Sequence, residues 1–135
     1  MAIPPSSCSL FIQIWVDTNA LQAGSTTGIY VVDNNFNHGS TNEGTTSLVT
    51  NTTTNTNICW SVLNTNPNAS DVLTIQNFSN ASVFGAGGTP QMVNANTWTG
   101  TVQNAGNAPY SVTFNDVNGT GITTTVSGLS LNVTS

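Results

Sequence analysis

The side chains with the most chemical potential in this sequence lie together in one stretch, Asp33-Asn34-Asn35-Phe36-Asn37-His38-Gly39-Ser40-Thr41-Asn42-Glu43-Gly44. Two of the five acids, the only histidine and a run of amides fall within it. Amides and carboxylates present paired donors and acceptors that match the vicinal hydroxyls of a sugar, and Phe36 could cover a sugar face. Asp33, Asn35, Asn37, His38 and Glu43 are therefore the candidate ligand-binding residues. The same oxygens could hold Ca²⁺ weakly. The EF-hand pattern fails, however, because its sixth and twelfth positions require Gly and Glu where this loop has His38 and Gly44. The competing reading is a solvated loop that uses Asn and Gly for its turn conformations.

Other constellations carry less. Cys59, His38 and an Asp could in principle converge as nucleophile, base and orienting acid, but no motif places them together. Zinc is not supported by two widely spaced cysteines and one histidine. Gly85, Gly87 and Gly88 are followed by no helical pattern, so they read as a flexible or tight loop, not a dinucleotide fingerprint. Asp116-Val117-Asn118-Gly119-Thr120-Gly121 reads as a tight turn, because Asn-Gly supplies positive φ between alternating strands. The six Asn-x-Ser/Thr sequons, at Asn51, Asn68, Asn77, Asn80, Asn118 and Asn132, are the number expected by chance from so much Asn, Ser and Thr.

Composition narrows function further. Lys and Arg are absent and the formal net charge is −5. Nucleic acids and anionic membrane surfaces are bound largely through those two residues, so neither is a partner. P-loop nucleotide enzymes and Schiff-base enzymes lack the lysine they need. The reading is non-enzymatic. Asn, Thr and Ser supply 57 of the 135 residues, a surface that hydrates without repelling copies of itself. Strand edges without Lys also lack the commonest guard against edge-to-edge pairing, so homo-oligomerisation is expected.

The elements that must position these residues are strands. Period-two alternation runs through most of the chain and helical periodicity appears nowhere. Leu10, Ile12, Ile14 and Val16 form an inward row. Further strands are expected at 28–33, 45–50, 57–63, 71–78, 89–93, 96–103, 108–115 and 122–134, the last broken at Gly128. Segments 17–27 and 33–44 are turn-rich, and 50–57 is a Thr/Asn tract. The expected fold is all-β: a single-domain antiparallel β-sandwich over 1–135, jelly-roll-like or immunoglobulin-like, with 1–7 an extended tail. No repeat or linker divides it, and nothing is long and apolar enough to span a bilayer. Met1 to Ser7 lacks the basic and apolar regions of a secretory signal.

Trp60 and Trp98 fall in phase with core positions. Phe11 and Trp15 alternate against the inward row, so they share an outer face and are the expected oligomer contact, the alternative being cover by a loop of the same chain. Cys8 has the phase of Leu10 while Cys59 alternates against Ile58 and Trp60. The two could form one disulfide, but that parity sets one thiol inward and the other outward and so argues against the pairing.

Val16-Asp17-Thr18, Gly28-Ile29-Tyr30-Val31-Val32-Asp33-Asn34, Ile58-Cys59-Trp60 and Tyr110-Ser111-Val112-Thr113-Phe114, in this order and spacing, resemble the PixA/AidA-type inclusion-body protein family of bacteria. The resemblance implies a jelly-roll-like sandwich without enzymatic activity that forms oligomers. It also implies accumulation in the bacterial cytoplasm as inclusions, or release to the exterior, and glycan binding in host-associated bacteria. Two features depart from the family. The turn before the Ile-x-Trp strand is Asn55-Thr56-Asn57 instead of a charged or Gly-Asp turn, and the family's C-terminal Trp-Asp-Pro is replaced by Leu129-Ser130-Leu131-Asn132-Val133. Fold and class carry over from the resemblance, and no catalytic or binding residue does.

Overall fold

The structure is a computed structural model that describes residues 2–24, 27–66, 68, 70–79, 81–117 and 121–135. Nine strands form in chain order: β1 (Leu10–Val16), β2 (Ile29–Asp33), β3 (Val49–Thr53), β4 (Thr56–Asn64), β5 (Leu73–Phe78), β6 (Gln91–Asn94), β7 (Thr97–Val102), β8 (Gly106–Asp116) and β9 (Thr123–Thr134). They make two sheets, ordered β2-β1-β4-β7-β6 and β3-β9-β8-β5. The inward rows of both sheets join in one apolar core, which confirms the all-β sandwich. Among the described residues, no helix is long and apolar enough to cross a membrane.

Strand direction departs from expectation. β1 lies parallel to β4, with Leu10 opposite Ile58, and β3 lies parallel to β9, with Val49 opposite Ser130. The other pairings are antiparallel. Alternation reports which face a residue takes and says nothing of direction, and a parallel partner must be reached through a long excursion of the chain. Here β2 and β3 occupy the excursion between β1 and β4.

Three local differences have clear causes. The expected strand at 45–50 lies instead at Val49–Thr53, inside the Thr/Asn tract. Thr50 and Thr52 are buried, since a β-branched side chain packs on a pleated surface even though it carries a hydroxyl. The tract then turns at Asn55, in the left-handed region with φ 69°, and passes from one sheet to the other. The backbone N–H of Thr54 donates to Thr134 and that of Asn55 to Val102, so the turn is tied to both sheets. A short helix, α1 (Thr18–Gln22), forms within the expected turn region, where Asp17 Oδ1 accepts from Asn19 N at 3.0 Å and Ala20 N at 3.3 Å. Such an N-cap can fix a single turn too short to show periodicity. Finally, β9 continues through Gly128 across a register shift, and a Cβ there would meet the Thr46 carbonyl oxygen at 2.6 Å.

The glycine-rich segment after Phe84 is the tight alternative of the two expected. Gly88 accepts from Thr101 N at 3.0 Å, and a Cβ on Gly88 would run into the carbonyl oxygens of Thr101 and Phe84. The Asp116–Gly121 turn falls partly outside the described residues, as do the sequon positions Asn80 and Asn118.

Trp60 anchors the core. It is fully buried, packs edge-on against Phe78, Phe84 and Tyr110, and donates from Nε1 to the Tyr110 hydroxyl at 3.3 Å. Its cross-strand partner Trp98 is half-buried against the same core. Burial holds the Tyr110 phenol well above its usual pKa, so the hydroxyl stays neutral. Tyr110→Phe leaves the indole N–H buried without an acceptor. The variant is expected to lose about 1–3 kcal/mol of unfolding free energy, read from denaturant midpoints.

Candidate functional site

The segment from Asp33 to Gly44 is held in shape by its own polar groups. Asp33 Oδ1 accepts from Asn35 N at 2.9 Å, which turns the chain out of β2. A single 3₁₀ turn follows over Phe36–His38 and ends at Gly39, whose φ of 95° favours glycine. Asn34 fastens the segment to β1, accepting from Phe11 N at 2.9 Å and donating to the Ser9 carbonyl at 3.2 Å.

Asn51 on β3 fastens it to the second sheet. Its carbonyl accepts from Asn35 Nδ2 at 2.8 Å and its N–H donates to Ser40 Oγ at 3.0 Å. Its side-chain amide donates to the His38 carbonyl at 3.3 Å and accepts from Asn132 Nδ2 at 3.2 Å. Asn132 is the register partner of Asn51 across the parallel β3/β9 pair.

These contacts wall a cleft of about 480 Å³. Asn35, His38, Asn51, Asn132, Thr52 and Thr56 are among its lining residues. Asn35 and His38, two of the five candidate residues, thus lie on one cleft, and His38 is exposed. Asp33, Asn37 and Glu43 do not line the cleft. Asn37 and Phe36 are exposed, with Phe36 at 71%. Asp33 lines a separate, shallower pocket with Phe11, Gln13 and Val32. Asn51 and Asn132 escaped the sequence reading because Asn51 fell in the Thr/Asn tract and Asn132 in a distant strand, and only the β3/β9 pairing brings them to the loop. The available signal was that amides are unfavourable strand residues and so need a reason to be there.

Asp33 and Glu43 face each other behind the loop. Glu43 Oε1 accepts from Asp33 N at 2.9 Å, while Asp33 Oδ2 and Glu43 Oε2 are buried without another partner. Burial, followed by the hydrogen bond to the Asp33 carboxyl, pushes the Glu43 carboxyl up to about 7. Among the described residues, no three His, Cys, Asp or Glu side chains gather as a metal-ligand group.

Chemically, the cleft offers amide and hydroxyl donors and acceptors with one imidazole. That suits a neutral, hydroxyl-rich ligand. Cys59 is not among its lining residues.

Phe11 and Trp15 lie on the outer face of the first sheet. Phe11 is 38% exposed, Trp15 is half-buried, and Tyr30, the cross-strand partner of Trp15, is 45% exposed. Trp15 Nε1 donates to Gln13 Oε1 at 3.3 Å.

Comparison with known proteins gives three findings. The family model described as "Domain of unknown function (DUF8788)" matches residues 8–123. No curated protein matches. Among solved structures, the chain is similar to the crystal structure of an inclusion body protein (PixA) from Burkholderia cenocepacia J2315. That match has a TM-score of 0.64 and 11% identity, and it covers 98% of this chain and 99% of the other. At that identity it shows the fold, which is the fold the sequence resemblance implied.

Titration of Glu43 gives a prediction of definite sign. Its pKa is raised in the fold, so the folded chain binds more protons than the unfolded one between the ordinary value of 4.5 and about 7. Its contribution to stability is complete below the lower value and is lost as the pH rises through the upper one. Thermal midpoints measured across that window are expected to fall less steeply in Glu43→Gln than in the parent chain.

Proposed function

We propose that this chain, which belongs to the family of domains of unknown function DUF8788, is a non-enzymatic structural protein that associates with copies of itself into inclusions, fibres or crystals. The observation that carries this reading is the outer face of the first sheet. Phe11 and Tyr30 are exposed there beside Trp15, next to the edge strand β2. At the opposite edge, all four residues of β6 are exposed, with Met92 at 57% and Val93 at 37%.

No lysine or arginine guards either edge, and only five acidic side chains in the whole chain could do so instead. The fold shared with an inclusion body protein supports the same reading and favours the bacterial cytoplasm as the place of accumulation. Light scattering over a concentration series tests it. Assembly is expected to grow with concentration, and Trp15→Ser is expected to raise the concentration for half-assembly by roughly tenfold or more. A parent chain that stays monomeric at high concentration overturns the proposal.

A second reading, lectin-like binding of neutral glycans, is favoured by the amide-lined cleft that brings Asn35 and His38 beside Asn51 and Asn132. A glycan array probed with and without Ca²⁺ is the test. His38→Ala is expected to abolish binding while leaving assembly intact. Arrays blank under both conditions remove this reading.

A further inference from the structure

We propose that Cys8 and Cys59 form a reversible intramolecular disulfide that staples the N-terminal segment across the outer face of the first sheet. The sequence parity of the two cysteines argued against such a pair because it assumed that β1 continues through residue 8. The strand begins instead at Leu10, after a bend at Ser9 and a 3₁₀ turn at Pro5–Ser7. The bend breaks the alternation and frees Cys8 from the inward phase of Leu10.

The segment before β1, expected to be a tail, is laid on the sheet. The Ile3 carbonyl accepts from Thr99 Oγ1 at 2.6 Å, and the Ser7 carbonyl accepts from Asn57 Nδ2 at 3.1 Å. Ser9 N donates to the Asn57 carbonyl at 3.2 Å. Asn57, Cys59 and Thr99 all belong to the outward row, with Cys59 directly opposite Thr99 in the β4/β7 pair. Under this cover Cys59 is 4% exposed and Thr99 1%. Ser7 and Ser9, the two neighbours of Cys8, both bond Asn57, which places the half-buried Cys8 beside the outward row that carries Cys59, where the two thiols act on each other's ionisation. Both are free thiols.

The two cysteines therefore differ in access, and this sets the order of events. A Cys8 thiolate attacks one sulfur of oxidised glutathione, forming a mixed disulfide and expelling one glutathione thiolate. The Cys59 thiolate then attacks the Cys8 sulfur, forming the protein disulfide and expelling the second glutathione. Two protein thiols are oxidised, one glutathione disulfide is reduced, and the two thiol protons end on the two glutathiones.

Burial raises the Cys8 thiol to about 11, with the neighbouring Cys59 adding to the effect, and burial also raises Cys59. Closure is consequently slow at neutral pH and quickens by roughly tenfold per pH unit as thiolate appears.

The test is to incubate the reduced full chain with oxidised glutathione in mildly alkaline buffer. The expected product is a single chain lighter by two hydrogen atoms, which yields a proteolytic fragment joining Cys8 to Cys59 and is reversed by dithiothreitol. Closing the long loop between the two positions is expected to raise Tm by roughly 10 °C. Cys8→Ser, at a half-buried position outside the apolar core, should abolish both the mass change and the Tm rise, and so should Cys59→Ser. A glutathione adduct that persists on Cys8, chain-to-chain dimers linked through Cys8, or thiols unchanged after prolonged oxidation would overturn the proposal.

Discussion

A chain with five acidic side chains and neither lysine nor arginine cannot settle a buried acid with the ion pairs most proteins use. An acid taken out of water must then find N–H donors or share a proton with another acid. Both solutions appear. Asp17 takes two backbone N–H groups at the start of α1, and so fixes the corner between β1 and β2. Glu43 takes the Asp33 N–H with one oxygen and turns the other toward the Asp33 carboxyl. Asp116 is fully buried, and the Asp71 carboxyl is raised first by its hydrogen bond to it.

The same constraint shapes the surface. Amides and hydroxyls replace charge in joining distant segments, as where Asn51 links the His38 loop to β9. The cleft therefore has polar walls with little net charge. The exterior carries few charged side chains, which leaves apolar patches such as Phe11 with Tyr30 as features that another molecule would meet.

β1 connects these features. Its inward row supplies Leu10, Ile12, Ile14 and Val16 to the core, and its outward row supplies Phe11 and Trp15. Its parallel partner β4 brings Trp60 inward against Tyr110 and Cys59 outward beneath the N-terminal segment. A one-residue slip between these strands would exchange both sets, so the core also fixes what the outer face presents.

Alternation by itself determined the strands other than β3, the inward rows, the burial of Trp60 and the outward placing of Phe11 and Trp15, because side-chain direction along a strand is a local property. Composition determined that no lysine or arginine chemistry is available, since that depends on which side chains exist and not on where they lie. Only the tertiary structure decided the parallel pairings, the convergence of Asn35 and His38 with Asn51 and Asn132, the withdrawal of Asp33 and Glu43 from that cleft, and the meeting of Cys8 with Cys59. Each of these depends on how segments far apart in the chain are brought together. For Cys8 the deciding event was a single bend at Ser9, which changed the phase that the sequence pattern assigned to it.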